Sequence, residues 1–292
     1  MPPTAFSPEL VNPVVVAWLA VLGAVFGSFF NVVIHRLPAG ESLTSPPSHC
    51  PMCKKPIRWY DNVPVISWIV LRGRCRDCRG PISLRYPLVE AVGAALFAVL
   101  GWRELLSGGS NLPRRVIESA DANWLAAGSA WQLGAVYAYH LLLLCTLLCA
   151  VLIEFDGKRV PLRLFAPAWI VGSLGPMAFP FLHPVPGWPG LHGTLAALAD
   201  GVLGWAAGTI LGLAVWRLRP NQRKIGAILA PGCVGLMLGW QAAVVLGLVM
   251  GILELAMILP GRAAPKLRHI PPTAWLAPAT FAWIIAWAQL VR

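Results

Sequence analysis

Charge is what this chain has least of. Only 12% of its 292 residues are Asp, Glu, Lys or Arg, about half the share of a soluble globular domain. This scarcity, together with 57% hydrophobic residues, excludes an ordinary soluble enzyme or binding domain. The apolar runs also lack the alternation with polar residues that predicts membrane β-strands. The sequence therefore predicts a bundle of membrane-spanning helices.

Acidic residues are scarcer than basic ones: 12 Asp and Glu against 23 Lys and Arg, a formal net charge of +11. The basic residues fall in short loops between apolar runs, so we interpret them as topology determinants facing an anionic inner leaflet. The expected partner of this charge is the lipid bilayer and not nucleic acid. Met1 to Pro13 contains no basic residue. We therefore expect no cleavable signal peptide, and the first apolar run to remain as an anchor.

Apolar runs of about 20 residues predict the membrane crossings. The run from Ala227 to Leu259 is too long for one crossing, and a break at Gly239-Trp240-Gln241 divides it into two. The sequence thus predicts an all-α polytopic membrane protein of about eight segments, with both ends outside and every basic loop in the cytoplasm. The other predicted segments are Pro13–Ile34, Leu88–Trp102, Trp131–Ile153, Leu162–Phe181, Ala199–Leu218 and Ile270–Leu290.

Four cysteines lie in one polar loop between the first two predicted segments. Cys50, Cys53, Cys75 and Cys78 form two Cys-x2-Cys pairs, a spacing that lets four thiolates surround one zinc ion. Two disulfides are the alternative. The loop from His35 to Tyr86 carries nine Lys and Arg residues, which predicts a cytoplasmic, reducing location that disfavours disulfides. We therefore predict a structural zinc site, because four thiolates leave no open position for catalysis.

Several separate stretches resemble the bacterial type IV prepilin leader peptidases. Besides the tetracysteine loop, they are Gly27–Pro38, Trp59–Trp68, Ile82–Glu90 and Leu238–Ala242, in the order found in that family. The resemblance implies an aspartic peptidase of the bacterial inner membrane. Such enzymes remove the leader of type IV prepilins or pseudopilins on the cytoplasmic side and methylate the new N-terminus, with S-adenosylmethionine as the implied methyl donor. It also implies an N-terminal domain of this type over residues 1–130, with the cysteine loop at 35–86, and a membrane-embedded peptidase-like domain over 131–292.

The peptidase chemistry needs two carboxylates that share one proton, one to activate water and one to polarise the carbonyl. The resemblance places the first at Glu154, in the stretch Ile153–Pro161, with Asp156 two residues further on. It places the second at Ala227, where no carboxylate is present. Since no Asp follows Asp200, the later acid Glu254 is the candidate substitute. The alternative is that Glu254 pairs with a neighbouring Arg or is neutral beside a Ser or Trp.

These observations leave three hypotheses about function. The first is an enzyme of the prepilin peptidase and methyltransferase family that works with an altered carboxylate pair or only methylates. The second is a non-catalytic relative that binds prepilins or scaffolds a pilus or type II secretion assembly. The third is a small-solute transporter, suggested only by the eight segments and Glu254. Under the first two, we expect Glu154, Asp156 and Ala227 to lie together at the cytoplasmic surface of the membrane.

Overall fold

The computed structural model describes residues 8–113, 130–183, 193–219, 224–258 and 270–290. Within these ranges the fold is all-helical, as predicted, and the only β-pairing is two isolated bridges in the cysteine loop. Single 3-10 turns occur at Trp59–Asp61, Leu162–Leu164 and Pro180–Leu182, and a π-turn at Trp102–Leu106. The α-helices are α1 Pro8–Ala39, α2 Ile66–Val70, α3 Arg85–Gly101, α4 Ala130–Phe155, α5 Ala166–Ala178, α6 Gly193–Leu218, α7 Gly226–Leu238, α8 Trp240–Ile258 and α9 Thr273–Leu290.

Among the described residues, four helices are long and apolar enough to cross a membrane. They are Asn12–Ala39 in α1, Trp131–Phe155 in α4, Thr194–Leu218 in α6 and Trp240–Ile258 in α8. A fifth apolar helix, α7, has only 13 residues. At about 1.5 Å per residue it is about 20 Å long, shorter than the hydrocarbon core of a bilayer. The chain is therefore a multi-pass membrane protein, and the other four crossings remain predictions.

The predicted break between the two arms of the longest apolar run is confirmed. Helix α7 ends at Leu238, and α8 begins at Trp240. The intervening Gly239 has φ of 86°, a conformation that glycine adopts readily and other residues avoid. A side chain on Gly239 would overlap the carboxylate of Asp200, which lies on α6. Both the backbone angle and this contact therefore require glycine at the break.

The chain divides into two compact units, Met1–Trp102 and Arg103–Arg292. In the first unit, α1 lies directly against α3 through glycines. A Cβ on Gly23 would overlap the carbonyl of Gly93, and a Cβ on Gly27 would lie 2.6 Å from the Cα of Glu90. Such backbone contact is how membrane helices gain packing energy when lipid is as apolar as their side chains. Gly27 therefore has a packing role in this contact.

In the second unit, α6 packs against α7 through three glycines spaced four residues apart, which places them on one face of α6. Each would overlap the backbone of α7 if it carried a Cβ: Gly204 at Gly235, Gly208 at Pro231 and Gly212 at Ala227. This contact runs to the beginning of α7 and sets the position of Ala227.

Buried polar groups also connect the helices of the second unit. The side chains of Glu104 and His140 are fully buried, with Oε1 and Nδ1 2.6 Å apart. Tyr139, the residue before His140, has its hydroxyl 3.2 Å from Nε2 of His183. Nδ1 of His183 in turn lies 3.5 Å from Oδ2 of Asp200. These contacts stabilise the packing because a buried polar group without a partner costs free energy.

Candidate functional site

The two cysteine pairs are built as two copies of one turn, 25 residues apart. In the first, Lys54 N–H donates to the Cys50 carbonyl at 2.9 Å; in the second, Arg79 N–H donates to the Cys75 carbonyl at 3.0 Å. Lys54 and Arg79 both have φ of 59°. The bridges His49–Pro56 and Arg74–Pro81 close the two turns. Equivalent local sequences, Cys-x2-Cys followed by a basic residue, one further residue and Pro-Ile, thus give equivalent backbones.

The four thiols converge on one point. The sulfur atoms of Cys50, Cys53, Cys75 and Cys78 all lie within 4.8 Å of one another, and those of Cys50 and Cys78 are 3.8 Å apart. A tetrahedron with metal–sulfur bonds of about 2.3 Å has edges of about 3.8 Å. All four cysteines are free of disulfides. Hydrogen bonds from the backbone N–H groups of Cys53 and Met52 lower the pKa of the Cys50 thiol to about 6, which favours the metal-binding thiolate. The cluster can therefore hold a metal ion.

Ion pairs fasten the second cysteine turn to the segment between the turns. Arg76 donates to both carboxylate oxygens of Asp61, at 2.6 to 3.0 Å, and its guanidinium lies 5.5 Å from the ring centre of Tyr60. Arg76 holds the pKa of Asp61 below its usual range. Arg58 donates to Asp77 at 3.1 Å. These bidentate and paired contacts give the loop a defined shape.

Glu90 connects the loop to helix α3. The carboxylate is buried and accepts a hydrogen bond from the backbone N–H of Val65 at 2.7 Å. Val65 precedes α2 and has φ of 62°, an unfavourable value for a β-branched residue. The hydrogen bond helps to hold this conformation and fixes the start of α2 beside α3. Glu90 therefore has a structural role that its position near the membrane surface did not reveal.

Glu154 lies at the end of α4 in a buried site made by three other parts of the chain. Its side chain is only 1% exposed, and Oε2 accepts a hydrogen bond from the hydroxyl of Thr273, the first residue of α9, at 2.6 Å. Lys224 donates to its backbone carbonyl at 2.7 Å. Burial lowers the pKa of Lys224, and the nearby carboxylate opposes that effect.

The first residues of α7 face the same carboxylate. A Cβ on Gly226 would lie 2.5 Å from Oε1 of Glu154, and the neighbouring Ala227 is 1% exposed. The two motifs separated by about 70 residues therefore meet in space, at the end of α4 and the beginning of α7. The position expected to hold a second carboxylate lies in this contact, and Ala227 has no group that can accept or donate a proton.

Asp156 has a different environment from Glu154. Helix α4 ends at Phe155, and Gly157, with φ of 71°, turns the chain away. Gly157 N–H donates to the carbonyl of Glu154 at 3.0 Å, a common way to end a helix. Asp156 is exposed, whereas Glu154 is buried. Of the two candidate acids in this motif, only Glu154 points into the helix bundle.

Glu254 is held by its own partners. Its side chain is fully buried on α8, with Oε2 2.6 Å from Nε of Arg219 and Oε1 accepting a hydrogen bond from Nε1 of Trp275 at 3.0 Å. Arg219 also donates to the carbonyl of Ile270 at 3.0 Å. The observed contacts match the alternative in which Glu254 pairs with a neighbouring Arg, and its other carboxylate oxygen accepts a hydrogen bond from a Trp. Glu154 and Glu254 contact different residues at the start of α9.

Comparison with known proteins gives a family for this architecture. The family described as Bacterial Peptidase A24 N-terminal domain matches residues 21–104, which include the C-terminal part of α1, the cysteine loop and α3. A prepilin leader peptidase/N-methyltransferase of Myxococcus xanthus (strain DK1622) is 32% identical over 287 residues, covering 94% of this chain and 74% of that protein. The chain belongs to the prepilin leader peptidase/N-methyltransferase family.

Other members of this family are similarly related. The prepilin leader peptidase/N-methyltransferase of Klebsiella pneumoniae is 34% identical over 239 residues, covering 77% of this chain and 86% of that protein. The one from Pectobacterium carotovorum subsp. carotovorum is 31% identical over 288 residues, covering 89% of this chain and 88% of that protein. No solved structure matches the chain.

Sequence reasoning missed the residues that surround the carboxylates of this family member. Thr273, Lys224 and Gly226 contact Glu154, and Arg219 and Trp275 contact Glu254. A signal was available for the basic pair, since Lys224 and Arg219 border a loop between two apolar runs. No signal marked Thr273, because a single Thr at a predicted helix start is equally consistent with an N-cap.

Proposed function

We propose that this chain recognises type IV prepilins or pseudopilins at the cytoplasmic surface of the bacterial inner membrane, and that its leader-peptidase centre is degenerate. The observation that carries the proposal is the environment of Glu154. This carboxylate meets Thr273 and Gly226, and the adjacent family position is Ala227. It has no acidic partner among the described residues around it, and no Asp follows Asp200 in the sequence.

One carboxylate cannot perform both halves of the aspartic mechanism. The ionised acid takes a proton from water, while its protonated partner polarises the scissile carbonyl and later protonates the leaving amine. A positioned general acid or base contributes about 10²–10⁴-fold in rate. The hydroxyl of Thr273 donates to Glu154 and supplies no second carboxylate. Leader cleavage is therefore expected to be absent or very slow.

The part of the chain that matches the family's N-terminal domain supports the substrate part of the proposal. Residues 21–104 match that domain, and the two cysteine turns are complete. We propose that zinc is the metal held by the four cysteines, because a closed four-thiolate shell is typical of structural zinc. Its role is to fold the loop, since a filled shell leaves no coordination position for a reacting group.

The test uses the full-length protein in detergent with a prepilin that carries a Gly–Phe leader junction. Mass spectrometry measures both cleavage and methylation of the N-terminus. We expect no detectable cleavage by the natural chain, with intact prepilin co-purifying. The double change Glu154→Asp with Ala227→Asp should raise cleavage, because the shorter acid leaves room for a second carboxylate. Asp156→Asn, an exposed neighbour, serves as the matched control and should change nothing.

Four other outcomes have distinct meanings. Robust cleavage that survives both Glu154→Gln and Glu254→Gln would contradict the degenerate-centre proposal. Robust cleavage abolished by Glu254→Gln would show that Glu254 replaces the missing aspartate. Methylation of a precleaved pilin by S-adenosylmethionine, without cleavage, would assign the retained activity as methyl transfer. A prepilin that neither binds nor reacts would refute the substrate assignment.

A further inference from the structure

Helix α2 carries an exposed apolar face on a loop that is otherwise rich in charge. Ile66, Ile69 and Val70 are 60%, 61% and 67% exposed. The opposite face of this single turn is directed into the loop. There Ser67 donates to the Tyr60 carbonyl at 3.2 Å and Trp68 Nε1 donates to the Ile82 carbonyl at 3.0 Å. Three large aliphatic side chains on one short turn would be unfavourable in water.

The contacts of unit Met1–Trp102 place α2 beside a membrane-spanning part of α1. The N–H of Val65, just before α2, donates to Glu90 on α3. Glu90 packs against Gly27 of α1, and Asn31 of α1 donates to the Tyr86 carbonyl at 3.2 Å. The start of α2 therefore lies at about the level of residues 27–31 of α1.

This level can be located relative to the bilayer. The run Pro13–Ile34 of α1 contains no charged residue and has 22 residues, about 33 Å of helix, close to the thickness of the hydrocarbon core. Gly27 and Asn31 lie seven and three residues before Ile34, about 5–10 Å inside the end of this run. Helix α2 is therefore level with the boundary between acyl chains and headgroups.

The charges next to α2 fit an anionic lipid surface. Arg72 and Arg74 are exposed and follow the apolar face directly, and no acidic residue occurs from Asn62 to Arg76. Interfacial segments combine inserted apolar side chains with basic residues that contact lipid phosphates in this way. Leu84, just before α3, and Leu88 within it are each 54% exposed and extend the apolar surface beside the same membrane level.

We propose that α2 is an interfacial anchor. Ile66, Ile69 and Val70 insert among the acyl chains of the cytoplasmic leaflet, and Arg72 and Arg74 contact the phosphates of anionic lipids. The anchor holds the metal-binding loop against the membrane surface. An apolar protein partner is the competing occupant; the depth of α2 and the lack of acidic residues from Asn62 to Arg76 favour lipid.

The test reconstitutes the full-length protein in lipid nanodiscs, either neutral phosphatidylcholine or the same lipid with phosphatidylglycerol. A spin-labelled unnatural amino acid replaces Ile69, so the metal-binding cysteines remain intact. Power-saturation EPR compares collisions with oxygen, which concentrates in lipid, and with a nickel chelate, which stays in water. Position 210, an exposed isoleucine of the long apolar α6, is the lipid control. Position 41, seven residues beyond Ile34 and normally Glu, is the water control.

We expect the label at position 69 to favour oxygen as the label at position 210 does, and the label at position 41 to favour nickel. The double change Arg72→Gln with Arg74→Gln should make position 69 shallower in anionic discs and leave it unchanged in neutral discs.

Preferential nickel access at position 69 would overturn the proposal. Shielding from both reagents, with or without added prepilin, would instead identify a protein-covered face. If the label at position 69 lies equally deep in anionic discs with and without the two arginine changes, the role of the arginines is refuted. None of these readouts depends on cleavage or on prepilin recognition.

Discussion

The first turn of α9 contacts two of the buried carboxylates of the second unit, Glu154 and Glu254. Thr273 donates to Glu154, and Trp275, two residues later, donates to Glu254. Arg219 forms an ion pair with Glu254, in which Nε lies 2.6 Å from Oε2. A buried carboxylate is tolerated only when such groups satisfy it, so the position of α9 and the state of both acids are linked.

Thr273→Val should therefore destabilise the protein. The substitution keeps the shape of the side chain and removes the only hydrogen bond to Oε2 of Glu154 among the described residues. An unsatisfied buried acceptor costs about 1–3 kcal/mol, and more when it is charged. The measurement is thermal unfolding in one detergent.

The matched control for this prediction is Thr280→Val, on the same helix. Its hydroxyl is equally buried but donates only to the carbonyl of Leu276, one turn earlier, at 2.8 Å. That acceptor lies within α9, where the helix also supplies a backbone donor. Equal losses of stability in the two variants would show that the Thr273–Glu154 contact contributes nothing specific.

At the scale of the helices, glycines determine how closely pairs approach. The α1–α3 contact at Gly27 and the α6–α7 contact at Gly208 leave no space for a methyl group. In a bilayer, where apolar surface gains nothing by leaving lipid, such close packing is a main source of helix association.

Gly27→Ala and Gly134→Ala should have opposite consequences. A Cβ at Gly27 would lie 2.6 Å from the Glu90 Cα, so the backbone must move, at a cost of about 1–3 kcal/mol. A Cβ at Gly134 in α4 has no neighbour within 4 Å, and alanine favours helix by up to about 1 kcal/mol. Chemical or thermal unfolding of both variants measures the difference. Equal stabilities would contradict the close packing of α1 and α3.

We predict that the cysteine loop depends on a bound metal for its folding. We expect about one zinc per chain by elemental analysis of protein purified under reducing conditions, and loss of zinc and of folded yield in Cys75→Ser. Cys233→Ala is the control, because this buried cysteine lies in α7 and outside the cluster. A content below about one third of an ion per chain, or a disulfide within the cluster, would be incompatible with a structural zinc site.

At the scale of the whole molecule, the basic loops and the predicted segments together predict which side of the membrane each loop faces, and this topology can be tested. Alkaline phosphatase is active only outside the cytoplasm, and green fluorescent protein fluoresces inside it. Fusions after Ser110 and after Arg292 should give phosphatase activity, and a fusion after Gly40 should give fluorescence. Phosphatase activity of the Gly40 fusion would place the cysteine loop outside and invert the orientation predicted by its nine basic residues.

Features that depend on neighbouring residues could be predicted from the sequence. Hydropathy over about 20 residues located the helices, since the bilayer imposes that length. The glycine at 239 marked the break between α7 and α8, and two Cys-x2-Cys pairs marked the metal-binding cluster. Each of these features depends on residues that are close together in the sequence, or on a cysteine spacing that suits tetrahedral coordination of one metal ion.

The surroundings of the two buried acids could not be predicted in the same way. Thr273 is 119 residues from Glu154, and Lys224 is 70 residues away. Which helix ends meet depends on how α4, α7 and α9 pack. The surfaces of these helices are uniformly apolar, so the sequence contains no pattern that indicates which helix packs against which. The sequence alone predicted that the second carboxylate of the family is replaced by Ala227. Only the tertiary structure decided that a hydroxyl and a glycine face Glu154, and that Arg219 engages Glu254, because those contacts exist only once the helices are packed.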